Sequence, residues 1–285
     1  MDPFEIAKQE IGEKEYLEHY KVINNTPILD YVRTIVINLP EDCKCNCTYC
    51  LDKHLRHNKQ LDIWDWFYMA KYTINRFPKT RHVTITGGTI NAGVFNMLTD
   101  YIKKELPEAE ITWNTNGVDV YERINTENIT HINLHRQSVD EWMNTKKFHT
   151  NEYLITLNQA KEYFGDKLTI RTVITPEFDL DEYAELGIPL FLNRQLPATP
   201  ENNIRFDRIL DKLDITDVEQ RRNNKYYSSN YNGVPVRVGV GDDKYKHIPG
   251  RKPVFFNVAI VHRSGIVTGT WYEDDKVLAK MDLED

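Results

Sequence analysis

Short apolar runs alternate with longer amphipathic stretches along the middle of this chain. Thr34–Asn38, Val83–Thr86, Ile111–Asn114, Ile132–His135, Leu168–Ile174 and Pro189–Leu192 are brief and rich in β-branched residues, which suits pleated, half-buried strands. Between them, apolar residues recur at helical spacing: Ile63, Phe67, Ala70 and Ile74; Val94, Met97, Leu98 and Ile102; Leu154, Leu157, Ala160 and Tyr163. Strands alternating with helices predict an α/β fold whose parallel sheet is wound by right-handed crossovers. Six such units fall short of a complete eight-stranded barrel, so periodicity leaves a partial barrel and an open doubly wound sheet as alternatives.

Beyond about residue 213 the pattern changes. Asp217–Asn224 reads as helical, whereas Val234–Val240 and Phe255–Trp271 read as strands, with VAIVHRSGIVTGTW turning back at Arg263-Ser264-Gly265. Residues 1–30 are acidic and polar and read as an N-terminal extension. The expected organisation is therefore an extension over 1–30, an α/β core over 31–212 and a small β-containing region over 213–285 that packs on the core.

Composition narrows the class. With 40% apolar and 28% charged residues, the 285-residue chain has the balance of a soluble globular protein rather than a disordered one. No apolar run approaches the roughly 20 residues that cross a bilayer, and the first residues lack the pattern of a secretory signal, so no membrane association and a cytoplasmic location are expected. The formal charge of −7 argues against broad attraction to polyphosphate, though it leaves room for a local basic patch.

All four cysteines fall between 43 and 50, too close together to staple distant parts of a fold, and they read as a metal site. The first strand runs directly into LPEDCKCNCTYC, which places them on the loop at the strand's carboxyl end, the face where α/β barrels carry their active sites. Cys43, Cys47 and Cys50 have C-x3-C-x2-C spacing. Three thiolates can hold three corners of a cubane iron–sulfur cluster and leave the fourth iron open to a ligand. A zinc site is the competing reading, because Cys45 supplies a fourth thiol and His54 and His57 follow. The run lacks the two separated knuckles typical of zinc fingers, however, so Cys45 is taken as a bystander and the two histidines as solvated residues at a helix start.

The cysteine spacing, with Tyr49 before the last cysteine, resembles the signature of the radical S-adenosylmethionine (SAM) superfamily. The resemblance implies a partial (β/α)6 TIM-like barrel and two cofactors, a 4Fe-4S cluster and SAM. In that family the open iron chelates the amino and carboxylate groups of SAM, and one electron from the cluster yields a 5′-deoxyadenosyl radical. It also implies an electron donor such as flavodoxin or ferredoxin. Gly87-Gly88-Thr89, after the second strand, resembles the family's Gly-Gly-Glu motif at the SAM amino group, with Thr89 standing where an acid is usual. Thr115-Asn116-Gly117 resembles the Thr-Asn-Gly of the branch containing the molybdenum-cofactor cyclase and peptide-modifying enzymes. By the same resemblance, His135 and Ser138 stand where polar groups contact SAM, and Arg171 could grip its carboxylate with two hydrogen bonds. Asn193 and Arg194 are substrate-side candidates. The resemblance covers roughly residues 33–195.

The substrate is less legible. No cysteine follows Cys50, so the C-terminal region has no ligands for a second cluster. Between 221 and 252, eight basic residues face two acids, a local balance of +6, and Tyr226, Tyr227, Tyr231 and Tyr245 are interspersed. That mixture can bind phosphate and stack bases, which favours a nucleotide-like or nucleic-acid substrate. A peptide-modifying radical enzyme would instead call for an exposed strand edge in the C-terminal region. A non-enzymatic zinc-binding interaction module is the third class. Asp140 and Glu141 read as solvent-facing helix caps, and no catalytic acid or base stands out.

Overall fold

The computed structural model describes residues 32–41, 43, 45, 61–88, 91–118, 123–148, 150, 153–194, 199–221, 224–241, 258–269 and 277–279. The expected N-terminal extension, and Tyr49, Cys47, Cys50, His54, His57 and Thr89, lie outside the described residues.

Six strands follow the expected order: β1 (Thr34–Asn38), β2 (His82–Thr86), β3 (Glu110–Thr115), β4 (His131–His135), β5 (Leu168–Ile174) and β6 (Leu190–Arg194). Each pairs in parallel with the next. The helices between them start at sequence-encoded caps. In α1 (Ile63–Arg76) the side chain of Asp62 accepts from Trp64 N, and in α2 (Ala92–Glu105) that of Asn91 accepts from Gly93 N. After α3 (Glu141–Phe148), a capping box of Thr156 and Gln159 opens α4 (Leu157–Phe164). The buried residues of α4 are Leu157, Ala160 and Phe164; Leu154 lies outside the helix and Tyr163 is exposed. Two further helices lie among the described residues, α5 (Leu180–Glu185) and α6 (Pro200–Lys212), the latter with Thr199 as cap and Pro200 in its first turn.

The C-terminal strands join this same sheet at both of its edges. On one side, β9 (Val234–Gly241) pairs in parallel with β6, and β8 (Asn224–Tyr231) and β7 (Ile215–Arg221) follow antiparallel. On the other, β10 (Val258–Val261) pairs in parallel with β1, and β11 (Val267–Thr268) and β12 (Val277–Ala279) follow antiparallel. The sheet is open, in the order β12-β11-β10-β1-β2-β3-β4-β5-β6-β9-β8-β7. A mostly parallel, open sheet with helices is the architecture of a partial TIM-like barrel.

Two expectations for the C-terminal region have different outcomes. The hairpin turn at Arg263-Ser264-Gly265 is present, with Gly265 at φ 74° and His262 N donating to Ile266 O across it. The helix expected over Asp217–Asn224 is instead the strand β7 and the start of β8. Its residues tolerate either state, and cross-strand pairing decides. The β8–β9 hairpin turns at Asn232-Gly233, both with positive φ, and its first strand offers an edge on which β7 pairs.

Alternation along the strands separates two faces. Val83, Ile85, Ile111, Trp113, Ile132, Leu134, Ile170, Leu190 and Leu192 are buried in the main core with helix residues such as Trp66, Phe95, Leu98 and Phe164. The intervening positions, including Thr84, Thr86, Thr112, Asn114, Asn133, His135, Arg171 and Asn193, are mostly polar and form the inner face. A parallel sheet covered by helices on both sides would be apolar on both.

Candidate active site

The site grows from the carboxyl end of β1. The Trp66 indole N–H of α1 donates to Asn38 O at 3.0 Å, and Leu39 N donates to Thr86 O at 2.8 Å, so the end of β1 is tied to a helix and to β2. The loop then leads through Glu41 to Cys43 and Cys45. Gly87 has φ 73°, and any side chain at Gly88 would strike the carbonyl oxygens of Glu41 and Leu39. The Gly-Gly pair therefore lets the β2 loop pack directly on the backbone of the cysteine loop.

Asn116, after β3, meets the cysteines. Its Nδ2 donates to Cys43 Sγ at 3.2 Å and to Cys45 Sγ at 3.1 Å. Cys45 is buried with Val118, Phe148 and Leu154, and its backbone N–H donates to Cys43 Sγ at 3.4 Å. The carboxamide is oriented by Val118 N, which donates to its Oδ1 at 3.2 Å. Gly117 follows at φ 76°, where a side chain would strike Ile155 and crowd Leu134.

Beneath this turn lies Arg136, fully buried. Its guanidinium donates to the carbonyls of Asn116 at 2.5 Å, His135 at 2.9 Å and Ile155, and its Nε lies 3.7 Å from Glu141 Oε2. Burial pulls the Arg136 pKa down to about 10 against the opposing pull of Glu141, and burial raises that of Glu141. Glu141 also accepts from Leu157 N at 2.6 Å, so it is a partner of Arg136 rather than the solvent-facing cap expected. Asp140 is a cap, accepting from Trp142 N and Met143 N.

His135 and Arg171 are direct neighbours across β4 and β5 on the inner face. Burial, then the charges of Arg171 and Arg136, push the His135 pKa down to about 3, so the ring is neutral near pH 7. Its Nε2 is 3.2 Å from Gln137 Nε2. Arg171 lies 5.1 Å from the centroid of Phe191, and burial lowers its pKa. No carboxylate pairs with it among the described residues. Beyond Phe191, Tyr226 is 6.2 Å away centroid to centroid, and Arg237 stacks on Tyr226 at 4.5 Å while pairing with Glu219 at 2.7 Å. Gly239 makes room for this row, since a Cβ there would lie 3.2 Å from the Phe191 ring.

The remaining candidates separate. Ser138 Oγ accepts from Asp140 N at 3.1 Å and serves its local turn. Asn193 donates to Thr172 O, whereas Arg194 stacks over Phe206 of α6 and donates to Asn203, on the helix-covered side of the sheet. The roles of Arg136 and Glu141 went unread in the sequence, where a strand-end arginine and a helix-start glutamate look like solvated residues.

The model of the radical SAM superfamily matches residues 37–187, more than half of the chain. The chain belongs to the radical SAM superfamily. Enzymes of this superfamily use a 4Fe-4S cluster and SAM as cofactors. The donor set fits, because Cys43 lies at the carboxyl end of β1 with two N–H groups directed at its sulfur. SuiB from Streptococcus suis has a similar fold, at 13% identity over 89% of this chain with TM-score 0.54. Its SAM-bound form aligns at 14% identity over 89% with TM-score 0.55. The chain spans 64% of the length of SuiB. The anSMEcpe enzyme with bound AdoMet aligns at 13% identity over 87% of this chain and 74% of its own, with TM-score 0.49. No curated protein matches the sequence.

Proposed function

We propose that this radical SAM enzyme holds its cluster with Cys43, Cys47 and Cys50, binds SAM on the inner face of the sheet, and acts on a nucleotide-like substrate. When bound, the cluster would pass one electron from an external donor to SAM, so that a carbon–sulfur bond breaks to give methionine and a 5′-deoxyadenosyl radical able to abstract hydrogen from the substrate. Arg171 receives the SAM carboxylate, and His135, neutral near pH 7, offers a hydrogen-bonding group beside it without adding charge. Tyr49, Gly87, Gly88, Thr89, Asn116 and Ser138 complete the proposed surround of SAM and cluster. The core is residues 31–212, with 213–285 facing the substrate. A reducing cytoplasm and a flavodoxin- or ferredoxin-like donor suit such chemistry.

The observation that carries the substrate reading is the row of Phe191, Tyr226 and Arg237, next to Arg171 on the inner face. Flat rings beside guanidinium groups are the surface on which a base stacks and a phosphate is neutralised. The test is binding of a panel of nucleoside 5′-monophosphates to the SAM-loaded protein. Binding weakened at least tenfold by Tyr226→Ala supports the reading. Equal binding by both proteins, or none, removes it.

A second reading, a peptide substrate, rests on the edge of the sheet. Among the described residues β7 (Ile215–Arg221) pairs with β8 and stands last in the strand order, at the edge of the sheet. An extended peptide can add to such an edge. Protection of β7 amides from hydrogen exchange by an added peptide would favour this reading over the first.

A further inference from the structure

We infer that Asn116 is a positioning residue that tunes the reduction potential of the cluster, by donating a hydrogen bond to the sulfur of Cys43. The inference rests on the radical SAM reading and goes beyond it to a function for one side chain. Its basis is the direction in which the carboxamide points. Asn oxygen and nitrogen are alike in shape, and their assignment follows from their partners. Here Val118 N–H donates to Oδ1, so the oxygen is committed on one side and the NH2 group must face the sulfurs. An NH2 group has two hydrogens, and it has two sulfur acceptors, Cys43 at 3.2 Å and Cys45 at 3.1 Å.

The group is also held firmly. Arg136 fixes the Asn116 carbonyl at 2.5 Å from its Nη1, and the crowded Gly117 confines the turn that follows. A donor that does not reorient when charge changes is worth more than mobile water at the same place.

Reduction adds negative charge that is shared by the ligating sulfurs. A fixed N–H directed at one of them stabilises the reduced cluster over the oxidised one and raises the potential; hydrogen bonds to sulfur are one of the levers that set such potentials. Cys45 has a separate part, as a buried thiol that accepts the second hydrogen and packs against Val118, Phe148 and Leu154. Removing its sulfur leaves the bond to Cys43 in place.

The test is an EPR-monitored redox titration of the anaerobically reconstituted full-length protein, with iron counted per chain. Asn116→Leu removes the donor. Asn116→Asp keeps the acceptor for Val118 N and turns an oxygen toward the sulfurs, and it serves as the readout if the leucine variant loosens the loop. Cys45→Ala is the control. The expected result is a reduced-to-oxidised ratio about tenfold lower at fixed poise for Asn116→Leu, equal to about 59 mV for one electron, lower still for Asn116→Asp, and unchanged for Cys45→Ala. Asn116 variants with full iron content and the wild-type potential would overturn the inference. A wild-type protein that takes up no iron–sulfur cluster is a different failure, since it removes the radical SAM reading of the loop itself.

Discussion

The two faces of strands β2 to β6 are made by alternate residues of the same segments, yet they have opposite tasks. On the outer face, Val83, Ile85, Ile111, Trp113, Ile132, Leu134 and Ile170 disappear into the helices, each contributing about 1.5–3 kcal/mol by burial. On the inner face, Thr84, Asn114, Asn133, His135 and Arg171 occupy the intervening positions, bonded partly to one another, as in Asn133 Nδ2 to Asn114 Oδ1 at 2.8 Å. One face holds the fold together and the other presents polar groups to a ligand. Arg136 breaks the division: it is a charged residue on the buried side that reaches across to fix the Asn116 turn.

The largest effect is expected at that exception. Arg136→Ala should cost about 3–5 kcal/mol in urea unfolding, because it strands Glu141 and three carbonyls. Arg136→Met with Glu141→Leu should recover much of that stability without restoring the hold on Asn116. A small loss in the single variant would mean that the clamp contributes little.

Next comes the contrast between the faces. Ile170→Ala should cost about 2–5 kcal/mol, with Asn114→Ala costing about 1 kcal/mol or less. Equal losses would erase the distinction.

The slope of stability against pH changes by less per pH unit. The folded-state pKa of His135 is about 3, below its ordinary 6.5, so its contribution is complete above pH 6.5 and is lost as pH falls toward 3. His135→Gln should flatten the decline of the urea midpoint over that window, by at most about 1.4 kcal/mol per pH unit. Parallel profiles for the two proteins would contradict the neutral, half-buried ring.

Much of this division was legible from the pattern alone. The six core strands were placed by their β-branched runs, two of them with the bounds found, because period-two alternation and turn residues are local properties. β7 was not legible: Thr-Asp-Val-Glu-Gln suits a helix, and only pairing with β8 makes it a strand. A signal for that hairpin was nevertheless present in Asn232-Gly233, whose positive φ values suit a tight turn. α6 also went unread, although Thr199-Pro200 marks its start. At the site, the cysteine spacing pointed to the cofactor and the strand ends to its surroundings. That Asn116 faces two sulfurs, and that Arg136 and Glu141 lie beneath it, depends on contacts between β1, β3 and α3, which no local pattern encodes.

The most direct test is anaerobic reconstitution with iron and sulfide, followed by reduction and assay of 5′-deoxyadenosine formed from SAM, with Cys47→Ala alongside. The account predicts a brown protein that forms 5′-deoxyadenosine only with Cys47 intact; a colourless protein that retains a single zinc ion would contradict it.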